Sequence, residues 1–340
     1  MGRGSRKVGD NMNRALSAGR AFGLALLGAC AATGCASGRA LYVSTVPVAD
    51  VRREPGVAAQ AGSHDPLQET QVLYGERLRV LKTEDAWAAV EAVEQPEFTH
   101  HGRWQGYPGW VLKDVLIPLP RGRRPNAVVT AKWATVWKDS QAVTPQCQLP
   151  MGTRVVITST EGLVWPLRLL NGHDGWISRG SVEFLTALKR LTPASRRQAI
   201  LHHAEEFLGD PYFWGGRSPF AGLPNRFGVT GVDCSGLVNL TYRAVGIDLP
   251  RDAHEQYLRA RHIPVPQPAD LIFLSAPEDP SMITHVMLYA GDDWVIEGPG
   301  TGLPIRRVEL AIRLGRPLSD IAAGDVLDGR TVFFGAYLAE

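Results

Sequence analysis

The sequence predicts an α+β protein: two copies of a small β-barrel, then a mixed domain of helices and strands. Three observations predict it. Short apolar strands broken by turn signals fill residues 41–118 and again 126–186. A Gly-Trp-apolar element stands near the end of each stretch, as Gly109-Trp110-Val111 and Gly175-Trp176-Ile177. From Thr192 the texture changes to helical periodicity first and strand-like runs afterwards.

Taken in order, residues 1–35 read as a targeting segment. Arg14 and Arg20 precede an apolar stretch at 21–27, and small residues then carry Cys30 and Cys35. Residues 40–120 form the first β unit, with strands expected at 46–51, 72–81, 87–93 and 107–117 and turns at Gly75-Glu76 and Pro108-Gly109. Pro118, Pro120 and the basic residues 121–124 suit a linker. The second unit, 126–188, carries strands at 127–136, 153–159 and 164–170. The last domain spans 192–340. Thr192-Pro193 signals a helix start, with a hydroxyl cap and proline at the first helical position. Further helices are expected from about Cys234 to Val245 and over 252–261, then strands at 271–274, 285–290, 294–297 and 331–338.

Composition narrows the function. The chain of 340 residues has a net charge of +2, with much of its basic excess in the first twenty residues, so nothing argues for nucleic acid. No run of about twenty apolar residues is present to span a bilayer. Of four cysteines, two fall in the targeting segment, leaving Cys147 and Cys234, which is no disulfide scaffold. Histidines and carboxylates show no ligand spacing, so no metal and no cofactor are expected.

The chemistry gathers around Asp233-Cys234-Ser235-Gly236, which opens an apolar run just after Tyr212-Phe213-Trp214-Gly215-Gly216. A helix mouth favours thiolate over thiol, and thiolate attacks carbonyls. The plainer alternative for Cys234 is a small buried hydrophobe. His285, at the start of a strand, is the base candidate, and a hairpin centred on Gly291-Asp292-Asp293 brings Glu297 beside it to orient the imidazole. Asp233 suits either a helix cap or the binding of an ammonium group. Tyr212 and Trp214 suit either the site or the core.

These residues resemble the NlpC family of papain-like bacterial cell-wall cysteine peptidases. The matching motifs are Tyr212 to Gly216, Asp233-Cys-Ser-Gly-Leu237, Leu249-Pro-Arg-Asp252, Asp270-Leu-Ile-Phe273 and His285-Val286 with Tyr289 and Gly291. The resemblance implies Cys234 as nucleophile and His285 as base. The third position, usually His, Asn or Gln, is Glu297 here, and a full negative charge at that place favours the imidazolium form. The Gly-Trp elements resemble those of bacterial SH3 modules. Two of them in front imply the subgroup that cuts the γ-D-glutamyl–diamino acid bond of murein peptides with a free N-terminal L-Ala. The same resemblance puts Asp233, Ser235, Tyr212 and Tyr107 in the substrate site. The leader resembles a lipoprotein signal, with Cys35 preferred as the acylated residue and Cys30 as the alternative, implying a periplasmic enzyme held on the outer membrane by its lipid; a monomer is expected. The rival expectation is a cell-wall peptide-binding lipoprotein with weak or no catalysis, and Glu297 is its main support.

Overall fold

The computed structural model describes residues 40–56, 65–222 and 229–339. The leader, with Cys30 and Cys35, lies outside the described residues, as does part of the 220–231 link.

The first sheet comprises β1 (Leu41–Ser44), β2 (Val48–Arg52), β3 (Gln68–Leu73), β4 (Arg77–Glu84), β5 (Trp87–Glu97), β6 (Gln105–Leu112) and β7 (Leu116–Pro118). The second comprises β8 (Ala127–Val129), β9 (Trp133–Trp137), β10 (Pro145–Pro150), β11 (Arg154–Ile157), β12 (Val164–Arg168), β13 (Asp174–Ser178) and β14 (Val182–Phe184). Neighbours run β3-β2-β6-β5-β4-β1-β7 in the first and β10-β9-β13-β12-β11-β8-β14 in the second. Adding seven to each number of the first order gives the second, so one topology is used twice.

The shared Gly-Trp element has one physical cause in both copies. A Cβ on Gly109 would lie 2.5 Å from Val51 Cγ1, and one on Gly175 would lie 2.6 Å from Val136 Cγ1. In each sheet the sixth strand crosses the second so closely that only glycine fits. Three expected strands are broken by turns. The 72–81 run divides at Gly75 (φ 76°) into β3 and β4, the 127–136 run into β8 and β9, and the 107–117 run into β6 and β7. Apolar alternation carries on across a tight turn, so alternation alone does not reveal the break. The short strands β1 and β10 were not expected.

After the short α1 (Leu185–Leu188), the C-terminal part holds α2 (Pro193–Glu205), α3 (Cys234–Ala244), α4 (Ala253–Arg259) and α5 (Leu310–Leu314). Its strands are β15 (Arg261–His262), β16 (Leu271–Ser275), β17 (Ile283–Gly291), β18 (Trp294–Glu297), β19 (Arg306–Glu309), β20 (Val326–Leu327) and β21 (Arg330–Ala336). They form an antiparallel sheet ordered β15-β21-β16-β17-β18-β19, with β20 on β21. Thr192 caps α2 as expected, its Oγ1 accepting the Ser195 N–H at 3.1 Å. Alternate residues of β16 and β17 feed two cores. Leu271, Phe273, Val286 and Leu288 join Ile200, Phe207, Leu237 and Leu240 of the α2–α3 layer. Ile272, Leu274, Met287 and Tyr289 join Leu310 and Leu314 of α5.

Three buried arginines bolt this part onto the two front sheets. Arg217 donates to both carboxylate oxygens of Glu76, Arg243 to Glu94 and to the Gly152 carbonyl, and Arg251 to Thr70 Oγ1. Each charge is paired on burial, without which its desolvation would be prohibitive. The effect on function is positional, because β3–β6 are held against the start of α3.

Candidate active site

Cys234 is the first residue of α3, and the preceding Asp233 caps the helix, its Oδ1 accepting the Gly236 N–H at 2.7 Å. A Cβ on Gly236 would lie 2.2 Å from the Gly216 carbonyl oxygen. The helix mouth therefore rests directly on the Tyr212 to Gly216 strap, and Tyr212 bridges to Val232, two residues before the nucleophile. These contacts explain why the two motifs occur together.

The half-buried Cys234 sulfur lies within hydrogen-bonding range of the Val286 N–H, next to His285 in β17. His285 is buried and its Nε2 meets Glu297 Oε2 at 2.7 Å, which leaves Nδ1 for proton exchange. The hairpin that delivers Glu297 turns at Asp292 and Asp293, with φ of 50° and 66°. Two consecutive positive φ values make the tight turn that matches strand twist. Glu297 has no exposed surface. Burial alone would raise its carboxyl, but the His285 hydrogen bond, the ring charge, Arg313 and Arg306 bring it down to about 2.

The thiol behaves differently. Burial, and then the Asp233 carboxylate, push Cys234 up to about 12, against the pull of the Val286 and Ser235 N–H groups and Arg251. The helix mouth alone would favour thiolate. At rest, desolvation and the neighbouring carboxylate win, and the sulfur keeps its proton.

Asp233 is heavily engaged. Its Oδ1 also accepts from Ser235 Oγ at 3.1 Å and Arg251 Nη1 at 3.1 Å, and its Oδ2 accepts from Arg251 Nη2 at 2.7 Å and the Gly215 N–H at 3.1 Å. Ser235 Oγ in turn accepts from Arg251 Nη1 at 2.9 Å. The next residue, Asp252, accepts from Tyr107 Oη of β6 at 2.9 Å. Tyr107 also reaches Glu69 Oε2 of β3 at 3.3 Å. His100 stands between Glu97, at 3.0 Å, and Glu69, at 3.8 Å, and is pushed up to about 9, first by the Glu69 carboxylate and then by Glu97, against its burial. Burial, and then the Glu255 and Asp233 carboxylates, lift the Asp252 carboxyl to about 7 against the pull of Arg251 and the Tyr107 hydrogen bond, although 40% of its side chain remains open to solvent. The half-buried Tyr212 lies close enough to Asp233 and Cys234 for their charges to act on its hydroxyl.

Of the residues singled out in the sequence, Asp233, Ser235 and Tyr107 are joined through Arg251 and Asp252, and His285 is joined to Glu297. Sequence reasoning missed Glu69, Arg251 and Asp252 as working parts, and also Arg306 and Arg313. The Leu249-Pro-Arg-Asp252 motif signalled two of these, since a guanidinium and a carboxylate side by side in a buried loop need partners. Among the described residues no cluster of His, Cys, Asp and Glu is arranged to hold a metal ion.

Residues 209–313 match the model of the NlpC/P60 family. The chain is 27% identical over 241 residues to the gamma-D-glutamyl-L-lysine dipeptidyl-peptidase of Bacillus cereus, covering 68% of this chain and 67% of that protein. It is 28% identical over 254 residues to the Bacillus subtilis protein of the same name, covering 72% and 77%. It is 36% identical over 124 residues to the peptidoglycan endopeptidase RipB of Mycobacterium tuberculosis, covering 34% and 50%. In fold it is similar to the crystal structure of an NlpC/P60 family protein from Bacillus cereus, with a TM-score of 0.64 at 21% identity, covering 79% of this chain and 94% of that one. The class defined is an endopeptidase. More particularly, residues 209–313 are similar to the NlpC/P60 family, and the relatives named above are cell-wall peptidases.

Proposed function

We propose that this protein is a cysteine peptidase that hydrolyses the γ-D-glutamyl–diamino acid bond of murein peptides carrying a free N-terminal L-Ala. One observation carries the reading: Tyr107 of the first sheet links Glu69 to Asp252, which lies beside the Arg251–Asp233 pair, with Asp233 one residue from Cys234. This acidic corner suits an ammonium group held a short peptide's length from the nucleophile. Since Arg251 already occupies Asp233 and Arg53 pairs with Glu69 at 2.7 Å, the amine falls chiefly to Asp252 and Tyr107, with Glu69, Asp233, Ser235 and Tyr212 lining the approach.

Cys234 attacks the γ-carbonyl carbon as its proton passes to His285. The tetrahedral oxyanion is met by the Cys234 N–H, which has no acceptor within the helix. The C–N bond breaks, His285 gives its proton to the leaving amine, and a thioester remains. Water then attacks the thioester, His285 takes the water's proton, and the thiolate leaves and is reprotonated. Glu297 keeps the ring oriented through both steps.

In the same reading, the two front sheets are bacterial SH3-like modules, residues 40–120 and 126–188, that wall one side of the cleft, and residues 192–340 are a papain-like domain. The enzyme acts outside the cytoplasm as a monomer anchored by acylated Cys35. The test compares L-Ala-γ-D-Glu-L-Lys with its N-acetylated form, reading products by mass. Cleavage of the free-amine peptide alone supports the amine pocket. Equal cleavage of both removes it, and cleavage of neither leaves the binding-protein reading in its place.

A further inference from the structure

The glutamate at the third position carries two arginines of its own. Arg306 stands directly opposite Glu297 in the β18–β19 ladder. Its Nε and Nη2 donate to Glu297 Oε1 at 3.0 and 2.6 Å. From α5, the Arg313 Nε donates to both carboxylate oxygens, at 3.0 and 2.9 Å. His285 takes the remaining approach, on Oε2. The carboxylate is thus enclosed by three donors, two of them permanently charged.

We propose that Arg306 and Arg313 are positioning residues of the catalytic site, which spread the charge of Glu297 so that it orients His285 much as a neutral amide would. A lone buried carboxylate against imidazole would fix the ring as imidazolium, a poor base and a reluctant acid. With two guanidiniums sharing Glu297, the ring can both take up and give back a proton. The charged and titratable groups that act on Glu297 are His285, Arg313 of α5 and Arg306 of β19. Arg307, the next residue in β19, faces elsewhere, toward Glu205 at 3.9 Å and the Trp294 ring.

This inference rests on the catalytic reading above, so its test is made without turnover. In a Cys234→Ala background, the His285 imidazole is titrated by NMR. Arg306→Gln and Arg313→Gln are each expected to raise its midpoint, by about one unit for the pair together. Arg313→Lys should bring the midpoint back toward the parent value, and Arg307→Gln should leave it in place. A midpoint that stays put in the double variant, with the fold intact by circular dichroism, overturns the inference. So does an equal rise in Arg307→Gln. A wild-type enzyme that fails to cleave any murein peptide would sink the catalytic reading but leave this titration result standing.

Discussion

Arg251, with no exposed surface, closes a two-pronged ion pair on Asp233, the residue before the nucleophile. The same guanidinium reaches Thr70 in β3 and Ser235 in α3, so one side chain joins the first sheet, the helix cap and the cleft. Removing it would strand a buried carboxylate. Arg251→Met is expected to lower stability by about 3–5 kcal/mol, read from urea denaturation, and to abolish cleavage. A loss below about 1 kcal/mol would mean that Asp233 finds another partner.

The protonated resting thiol has a chemical signature. With Cys234 lifted to about 12 by burial and then by Asp233, alkylation by iodoacetamide should keep accelerating above pH 9. Asp233→Asn removes a negative neighbour and leaves Arg251 uncompensated. Both changes favour thiolate, so the rate profile should move to lower pH. Alkylation that is already maximal at pH 7 in the wild type would show that the helix mouth outweighs burial.

Glu297 links the site to acid stability. Its carboxyl is about 2 folded and near the ordinary glutamate value unfolded, so the folded state binds fewer protons. The stabilisation is fully present above about pH 4.5 and is lost as pH falls toward 2, amounting to about 3 kcal/mol. Urea midpoints measured between pH 7 and pH 3 should fall more steeply for wild type than for Glu297→Gln. Parallel slopes would remove Glu297 as the source.

Asp252 predicts how binding depends on pH. As pH rises through about 7, this carboxyl ionises and an ammonium ligand gains a partner, so KM for the free-amine peptide should fall. Above about pH 8 the peptide's own amine loses its charge and KM should climb again. Tyr107→Phe deletes a hydrogen bond that favours the ionised Asp252 and should raise KM about tenfold near pH 7. An unchanged KM would take Tyr107 out of the pocket.

The duplicated sheets were legible from Gly109-Trp110 and Gly175-Trp176, and a steric demand of the topology accounts for the glycine in each. The meeting of His285 and Glu297 was legible because the Gly291-Asp292-Asp293 turn fixes the hairpin, and the place of Cys234 because it opens α3. The arginines were not. Arg306 and Arg313 lie in β19 and α5, elements too short to leave a periodic trace, and their partner is met only through strand pairing and packing. Glu69 joins Asp252 across more than a hundred and eighty residues through Tyr107, a relation that spacing does not encode. The burial that opposes the helix mouth at Cys234 was not legible either, since it comes from residues distant in sequence.

The most direct measurement is mass analysis of L-Ala-γ-D-Glu-L-Lys after incubation with wild-type protein and with Cys234→Ser. Release of L-Ala-D-Glu and free lysine by the wild type, and by the wild type alone, is the predicted result. Cleavage that survives in Cys234→Ser would contradict the account at its centre.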